Sequence, residues 1–381
     1  MTTPLAAEIA REITLTGPLT VADYMERCLF HPSLGYYTTR EPFGAAGDFT
    51  TAPEISQMFG ELLGLWAADS WMRLGAPSPF ILAELGPGRG TMMADALRAT
   101  RLVPGFHAAM RVVLVEASPR LRERQAAALA AYDVAWAGSL EDVPPGPLIL
   151  LANEFIDALP IRQFLRTTEG IAERMVGLDD AGSLAFGLRP GARLDARAEA
   201  RLRDAPPGAL LELCPAGLSV AERLGARLAA SGGAALFVDY GHAGPREPGG
   251  GFGDTLQALR AHAFDDALAH PGEADLTAHV DFAALATAAL GTSTLGTGAR
   301  AFGPIPQGAL LERLGIAARA ERLKRDADAE TRAAIDAAHA RLSGSGEGQM
   351  GTLFKALALV HPALDEIAGF APGEEFRNTA A

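Results

Sequence analysis

From Phe80 onward the chain alternates short, continuous apolar runs with longer stretches of helical spacing. FILAEL, RVVLVEAS, PLILLANEF, ALLELCP and AALFVDYG each read as a buried strand. That alternation predicts an α/β fold with a parallel sheet covered by helices on both faces. Upstream, TVADYMERCLFHPSLGYY (Thr20 to Tyr37) predicts a helix that stops near His31-Pro32. In GDFTTAPEISQMFGELLGLWAADSW, Thr51 and Glu54 have capping-box spacing, and Ile55, Met58, Phe59, Leu62, Leu63 and Trp66 recur at helical intervals. One face of that helix must be buried, either as core or beneath a lid that closes over a cofactor. Downstream, GPREPGGGFG (Gly244 to Gly253) is a loop rich in helix breakers, followed by a largely helical stretch and a last strand-like run, GTLFKALALV. The expected organisation is therefore a helical segment with a cofactor lid over 1–75 and an α/β domain over 76–381. A mostly helical, substrate-contacting insertion is expected at about 245–345.

Composition narrows the chemistry. A chain of 381 residues, 49% hydrophobic, can bury one large core or two smaller ones. Its formal charge of −13 repels nucleic-acid phosphates, and no run of Lys and Arg compensates, so nucleic-acid binding is excluded as an expectation. The acidity suits a solvated surface, and would also suit a basic partner. Two cysteines, Cys28 and Cys214, lie far apart without metal-ligand spacing, so neither a disulfide nor a metal is expected. The first residues, MTTPLAAEIAREI, have neither a basic leader nor an apolar signal core, and no segment has membrane-spanning length. These features predict a cytoplasmic protein without membrane insertion. They leave room for a homodimer.

Candidate chemistry begins at ELGPGRGT. Gly86, Gly88 and Gly90 follow a strand and precede a helix, the context of a nucleotide-type loop. The spacing G-x-G-x-G is one residue short of the dinucleotide fingerprint, and no Gly-Lys-Ser/Thr follows for a phosphate loop. Glu84 before the first glycine would repel a pyrophosphate, whereas it would attract the sulfonium and ammonium of S-adenosyl-L-methionine. VLVEAS then places Glu116 at the end of the next strand, where doubly wound folds accept hydrogen bonds from ribose hydroxyls. Both acids also have a simpler reading as solvated strand ends. In LLANEFIDALPIRQF, Asn153, Glu154 and Asp157 follow a buried strand at the edge where open α/β sheets place their chemistry. Paired carboxylates suit a guanidinium, which offers five planar donors. A structural turn is the alternative. GEADLTAHVDF adds Asp275, Thr277, His279 and Asp281. His279 either lines a substrate pocket or is structural, and Thr277 or Asp281 serves as a helix cap or as part of the site. Asp48, Thr50, Thr51 and Glu54 would belong to the lid.

HPSLGYY, GDFTTAPEISQMFGELLG, ELGPGRGT, NEFIDALPIRQF, GEADLTAHVDF and MGTLFKALAL together resemble the MidA family of S-adenosyl-L-methionine-dependent methyltransferases. The resemblance spans nearly the whole chain and rests on long motifs. It implies a class I, Rossmann-like methyltransferase fold with an added helical region. In the family's mitochondrial members it implies symmetric dimethylation of an arginine on a subunit of respiratory NADH dehydrogenase, complex I, during assembly. By matching motif, Gly86, Gly88 and Glu116 would bind cofactor, and Glu154 and Asp157 would lie near the transferred methyl. The absence of a targeting extension suggests a bacterial cytoplasmic relative.

Three function classes follow from these residues: a protein arginine N-methyltransferase, favoured; a methyltransferase for a small molecule or another side chain; and a cofactor-binding assembly chaperone. Acids beside the expected cofactor edge favour an enzyme, since a binding module would not need them.

Overall fold

The computed structural model describes residues 3–39, 51–244, 251–291 and 298–377. The chain divides into two units, each with its own core. One comprises Met1–Phe49, Ile156–Gly217 and Ala243–Asp281; the other comprises Thr50–Phe155, Leu218–His242 and Phe282–Ala381.

The second unit holds the expected α/β sheet. Its strands are β1 (Phe80–Leu85), β2 (Met110–Val115), β3 (Val134–Ala137), β4 (Leu148–Asn153), β5 (Gly233–His242), β6 (Arg300–Pro306) and β7 (Phe354–Val360). They lie in the order β6-β7-β5-β4-β1-β2-β3. All five strands from β5 to β3 are parallel, whereas β7 runs antiparallel to both β5 and β6. FILAEL and LILLAN are buried at every position, as strands covered on both faces must be. The order reverses between β1 and β4, the switch point at which such sheets open a crevice. Leu85 is in register with both Val115 and Ala152, so residues 86, 116 and 153 emerge side by side at the carboxyl edge.

Helix α1 (Gln57–Arg73) packs on α2 (Thr91–Thr100). The stripe predicted as core or lid is core: Met58, Phe59, Leu62, Leu63 and Trp66 are all buried in one cluster with Phe80, Leu82 and Ile149. The helix does not begin at Thr51. A short helix, Ala52–Ile55, ends at extended Ser56, whose hydroxyl then caps α1 by accepting from Met58 N at 3.2 Å. Gly60 and Gly64, one turn apart, let the two helices touch: a Cβ on Gly64 would lie 2.6 Å from Ala96 Cα.

The first unit is mainly antiparallel. Strand Gly170–Leu178 pairs with Leu19–Thr20, Arg162–Thr167 and Leu184–Pro190, and Arg162–Thr167 pairs with Leu210–Leu213. ALLELCP therefore belongs here and not to the parallel sheet; its half-buried positions fit a sheet covered on one face. Helix Val21–Phe30 stops before His31-Pro32 as expected, with a reciprocal capping box between Thr20 and Asp23. A three-stranded sheet of Gln257–Arg260, Ala263–Asp265 and Asp275–Thr277 completes the unit.

Two organisational expectations need correction. The first boundary falls at residues 49 and 50 instead of near 75, because α1 packs on the sheet as core. The stretch 245–345 is not one helical insertion. Its part before Phe282 is strand-rich and belongs to the antiparallel unit, and the rest gives β6 and four helices to the sheet unit. Residues 245–250 of the glycine-rich loop lie outside the described residues.

Gly64→Val should lower stability by about 1–3 kcal/mol, the cost of overpacking against backbone atoms that cannot move aside. Urea unfolding measures it; an unchanged midpoint would contradict the close approach of α1 and α2.

Candidate functional site

The loop between β1 and α2 is built by backbone conformation. Gly86, Gly88 and Gly90 have φ of 59°, 52° and 82°, the left-handed region that other residues enter at a cost. The Gly86 N–H donates to Val115 O at 3.1 Å and extends the β1–β2 ladder, while the Gly90 N–H donates to Pro87 O at 2.7 Å and closes the turn. A Cβ at Gly86 would lie 2.9 Å from a ring carbon of Phe155. A side chain there would have to displace the Phe155 ring, so the position calls for glycine.

Glu84 stands at the end of β1 and is only 3% exposed. Burial pushes its carboxyl up to about 8, against a backbone hydrogen bond from Met93 that lowers it. Its Oε2 has no hydrogen-bond partner among the described residues. A buried carboxyl with an unsatisfied oxygen fits a ligand that brings a positive charge, such as a sulfonium or ammonium, better than a pyrophosphate.

Glu116 follows β2, half-buried, its N–H donating to Ala137 O at 3.0 Å. Its Oε1 accepts from Ser118 N at 2.8 Å and its Oε2 from the Gln125 side chain at 3.1 Å. Burial raises its pKa, opposed by these hydrogen bonds.

At the end of β4, Asn153 is buried, and Glu154 adopts φ of 50°, an uncommon conformation for a residue with a side chain. The Glu154 N–H donates to Val238 O at 2.9 Å, which extends the β4–β5 ladder, and Asp239 accepts from Phe155 N at 3.2 Å. Glu154 Oε1 accepts from Ala52 N at 3.2 Å and from Asn153 Nδ2 at 3.0 Å. The side chain thus ties the strand end to the start of the short helix before α1.

The lid residues divide. Asp48 and Thr50 lie outside the described residues. Thr51 is positioned as the cap of Ala52–Ile55, but its side chain makes no capping hydrogen bond. Glu54 does not complete a capping box either: its carboxylate accepts from Thr91 Oγ1 at 2.7 Å and pairs with Arg89 Nη1 at 3.5 Å. Stronger donors at the start of α2 take it away from its own helix.

The remaining candidates belong to the antiparallel unit. Asp157 and Asp275 are both buried there. The Tyr37 hydroxyl donates to the Asp275 carboxylate at 3.1 and 3.2 Å. Burial, then the charges of Asp275 and Asp157, hold the Tyr37 hydroxyl well above its usual pKa. Asp157 O accepts from Ala278 N at 3.0 Å, and Thr255 Oγ1 accepts from His279 N at 2.8 Å. Thr277 Oγ1 accepts from Gln257 at 3.3 Å, and Asp281 pairs with Arg201 at 3.0 Å. Thr277 and Asp281 are thereby bound into local structure. Tyr37, within HPSLGYY, is a further candidate that sequence reasoning misses, because nothing local marks which of two adjacent tyrosines meets Asp275.

Comparison with known proteins agrees with this chemistry. A family model described as "Putative S-adenosyl-L-methionine-dependent methyltransferase" matches residues 62–298. The chain is 38% identical to the Danio rerio protein named protein arginine methyltransferase NDUFAF7, mitochondrial, over 86% of this chain and 80% of that protein. It is also 38% identical to the Homo sapiens protein of that name, over 82% of this chain and 74% of that protein. A Burkholderia thailandensis structure, described as a "likely methyl transferase" bound to S-adenosyl-homocysteine, superimposes with a TM-score of 0.84. It is 30% identical over 98% of this chain and 96% of that one. These relatives establish a methyltransferase that uses S-adenosyl-L-methionine. They correct the expected cytoplasmic location, since the curated relatives are named mitochondrial.

Glu84 yields a pH test. Its folded-state pKa, about 8, lies above the ordinary 4.5, so between those values the folded protein holds a proton that the unfolded chain has released. Stability must then fall as pH rises through that window. Glu84→Gln should remove this component and be more stable than the wild type at pH 8. Urea midpoints at several pH values measure both proteins, and parallel profiles would show that Glu84 is not held neutral.

Proposed function

Because the chain belongs to the family of S-adenosyl-L-methionine-dependent methyltransferases, we propose that it is a protein arginine N-methyltransferase. Its expected product is symmetric dimethylarginine, and its expected substrate a respiratory NADH dehydrogenase subunit during assembly. The observation that carries this reading is the acceptor chemistry of the antiparallel unit, where Asp157 and Asp275 are buried with the Tyr37 hydroxyl. Buried carboxylates with a hydroxyl suit a planar, permanently charged guanidinium, whereas a lysine ammonium must lose its proton before it can attack. The names of the curated relatives support the same substrate class.

When bound, the cofactor supplies a methyl group made electrophilic by its sulfonium. The glycine loop would cradle it, with Glu84 facing its positive charge and Glu116 accepting from its ribose. Glu154 would hold the guanidinium, so that the nitrogen taking the methyl is oriented and the proton it sheds has an acceptor, and Asp157 is the second candidate acid for that role. Asn153 would keep Glu154 in place through its hydrogen bond to Oε1. His279 would line the substrate side.

Purified protein incubated with labelled cofactor and extract from a deletion strain should place label in symmetric dimethylarginine after hydrolysis. Label in methyllysine or in small molecules alone would refute the arginine reading. Glu154→Gln should leave S-adenosylhomocysteine affinity nearly constant and lower methyl transfer by about two orders of magnitude, as loss of a positioned polar group does. Full activity in that variant would assign Glu154 a purely structural role.

A further inference from the structure

Helix α3 (Pro119–Ala128) carries a fully buried amide, Gln125, in the sheet unit. Its Oε1 accepts from the Trp136 indole N–H at 2.8 Å. Its Nε2 donates to Gly88 O at 2.8 Å and to Glu116 Oε2 at 3.1 Å. An indole nitrogen can only donate, so the amide oxygen must face Trp136 and both amide hydrogens must face the other two groups, which only accept. A flipped amide would set oxygen against a carbonyl and a carboxylate. The stem of Gln125 also lies in contact with the loop: a Cβ on Gly90 would sit 3.5 Å from Gln125 Cα and Cγ.

Both Glu116 oxygens are thereby aimed. Oε1 is held by Ser118 N and Oε2 by Gln125, with the Ala117 N–H as a further donor to the carboxylate, whose four lone-pair sites still leave room for another donor. A vicinal diol, with two neighbouring hydroxyls, matches such a carboxylate. We propose that Gln125, locked by Trp136, is the positioning residue that aims Glu116 at the cofactor's ribose and sets the glycine loop at a fixed distance from it. This rests on reading Glu116 as the ribose acceptor. Nothing about Gln125 touches the reacting atoms.

The test is calorimetric and needs no turnover. The full chain is titrated with S-adenosylhomocysteine and with its 2′,3′-dideoxy counterpart, and the readout is the ratio of the two affinities. The wild type should favour the diol ligand by about tenfold or more, the worth of hydrogen bonds to a charged acceptor. Gln125→Ala should reduce that ratio by about fivefold, and Trp136→Phe, which frees the amide to flip while keeping the packing, should reduce it to a smaller extent. Equal losses for both ligands in Gln125→Ala, or an unchanged ratio in a folded Trp136→Phe, would make Gln125 merely structural and overturn the proposal. Glu116→Ala separates the two readings. It should bring the ratio near one; a wild-type ratio there would refute the ribose role of Glu116 itself, whatever Gln125 does.

Discussion

The turn from Gly86 to Gly90 has to leave a strand buried on both faces, reverse beneath the Phe155 ring and enter α2 within a few residues. Three left-handed residues accomplish this, and only glycine enters that region without cost. Much of the sheet unit serves this turn. β1 sits between β2 and β4 at the switch point, α1 presses on α2 through Gly60 and Gly64, and Gln125 braces the loop from α3. A side chain at Gly86 would collide with Phe155, and Phe155 is itself fixed by Asp239 accepting its N–H. The bare backbone is therefore a consequence of packing.

The second constraint is electrostatic. Glu84 is carried into the interior by a strand whose every position is buried, and among the described residues nothing satisfies its Oε2. Burying a carboxylate without a counter-charge is costly, so burial holds it neutral over part of the ordinary pH range. Glu116 differs: it is half-buried and hydrogen-bonded through both oxygens.

Four of the five parallel strands and the glycine loop are legible in the sequence because a continuous apolar run that ends in Gly, Glu or Asn is hard to place anywhere but in a buried strand reaching the edge of a sheet; the short, partly exposed Val134–Ala137 is not. β1 matches FILAEL residue for residue. The antiparallel strands Arg162–Thr167 and Gly170–Leu178 are not legible, because Arg162, Arg166, Glu173 and Arg174 fall inside them, and buried Glu173 is paired with Arg162 and Arg189. The interleaved units are hidden by a different cause: residues 156–217 and 243–281 join the N-terminal helices through contacts distant in sequence. Thr51 and Glu54 have capping-box spacing, yet Thr91 and Arg89 offer Glu54 better partners. Gln125 lies in a helix whose sequence, PRLRERQAAA, looks solvent-facing, and only the three-dimensional meeting of Trp136, Gly88 and Glu116 accounts for its burial.

The carboxyl edge at β1, β2 and β4 is the place where S-adenosyl-L-methionine must bind if the glycine turn, Glu84 and Glu116 have the roles assigned to them. Hydrogen–deuterium exchange of the full chain, with and without saturating S-adenosylhomocysteine, tests that placement. Protection should concentrate in peptides covering residues 84–91, 116–118 and 153–155. Protection confined to other segments, with these three unchanged, would contradict it.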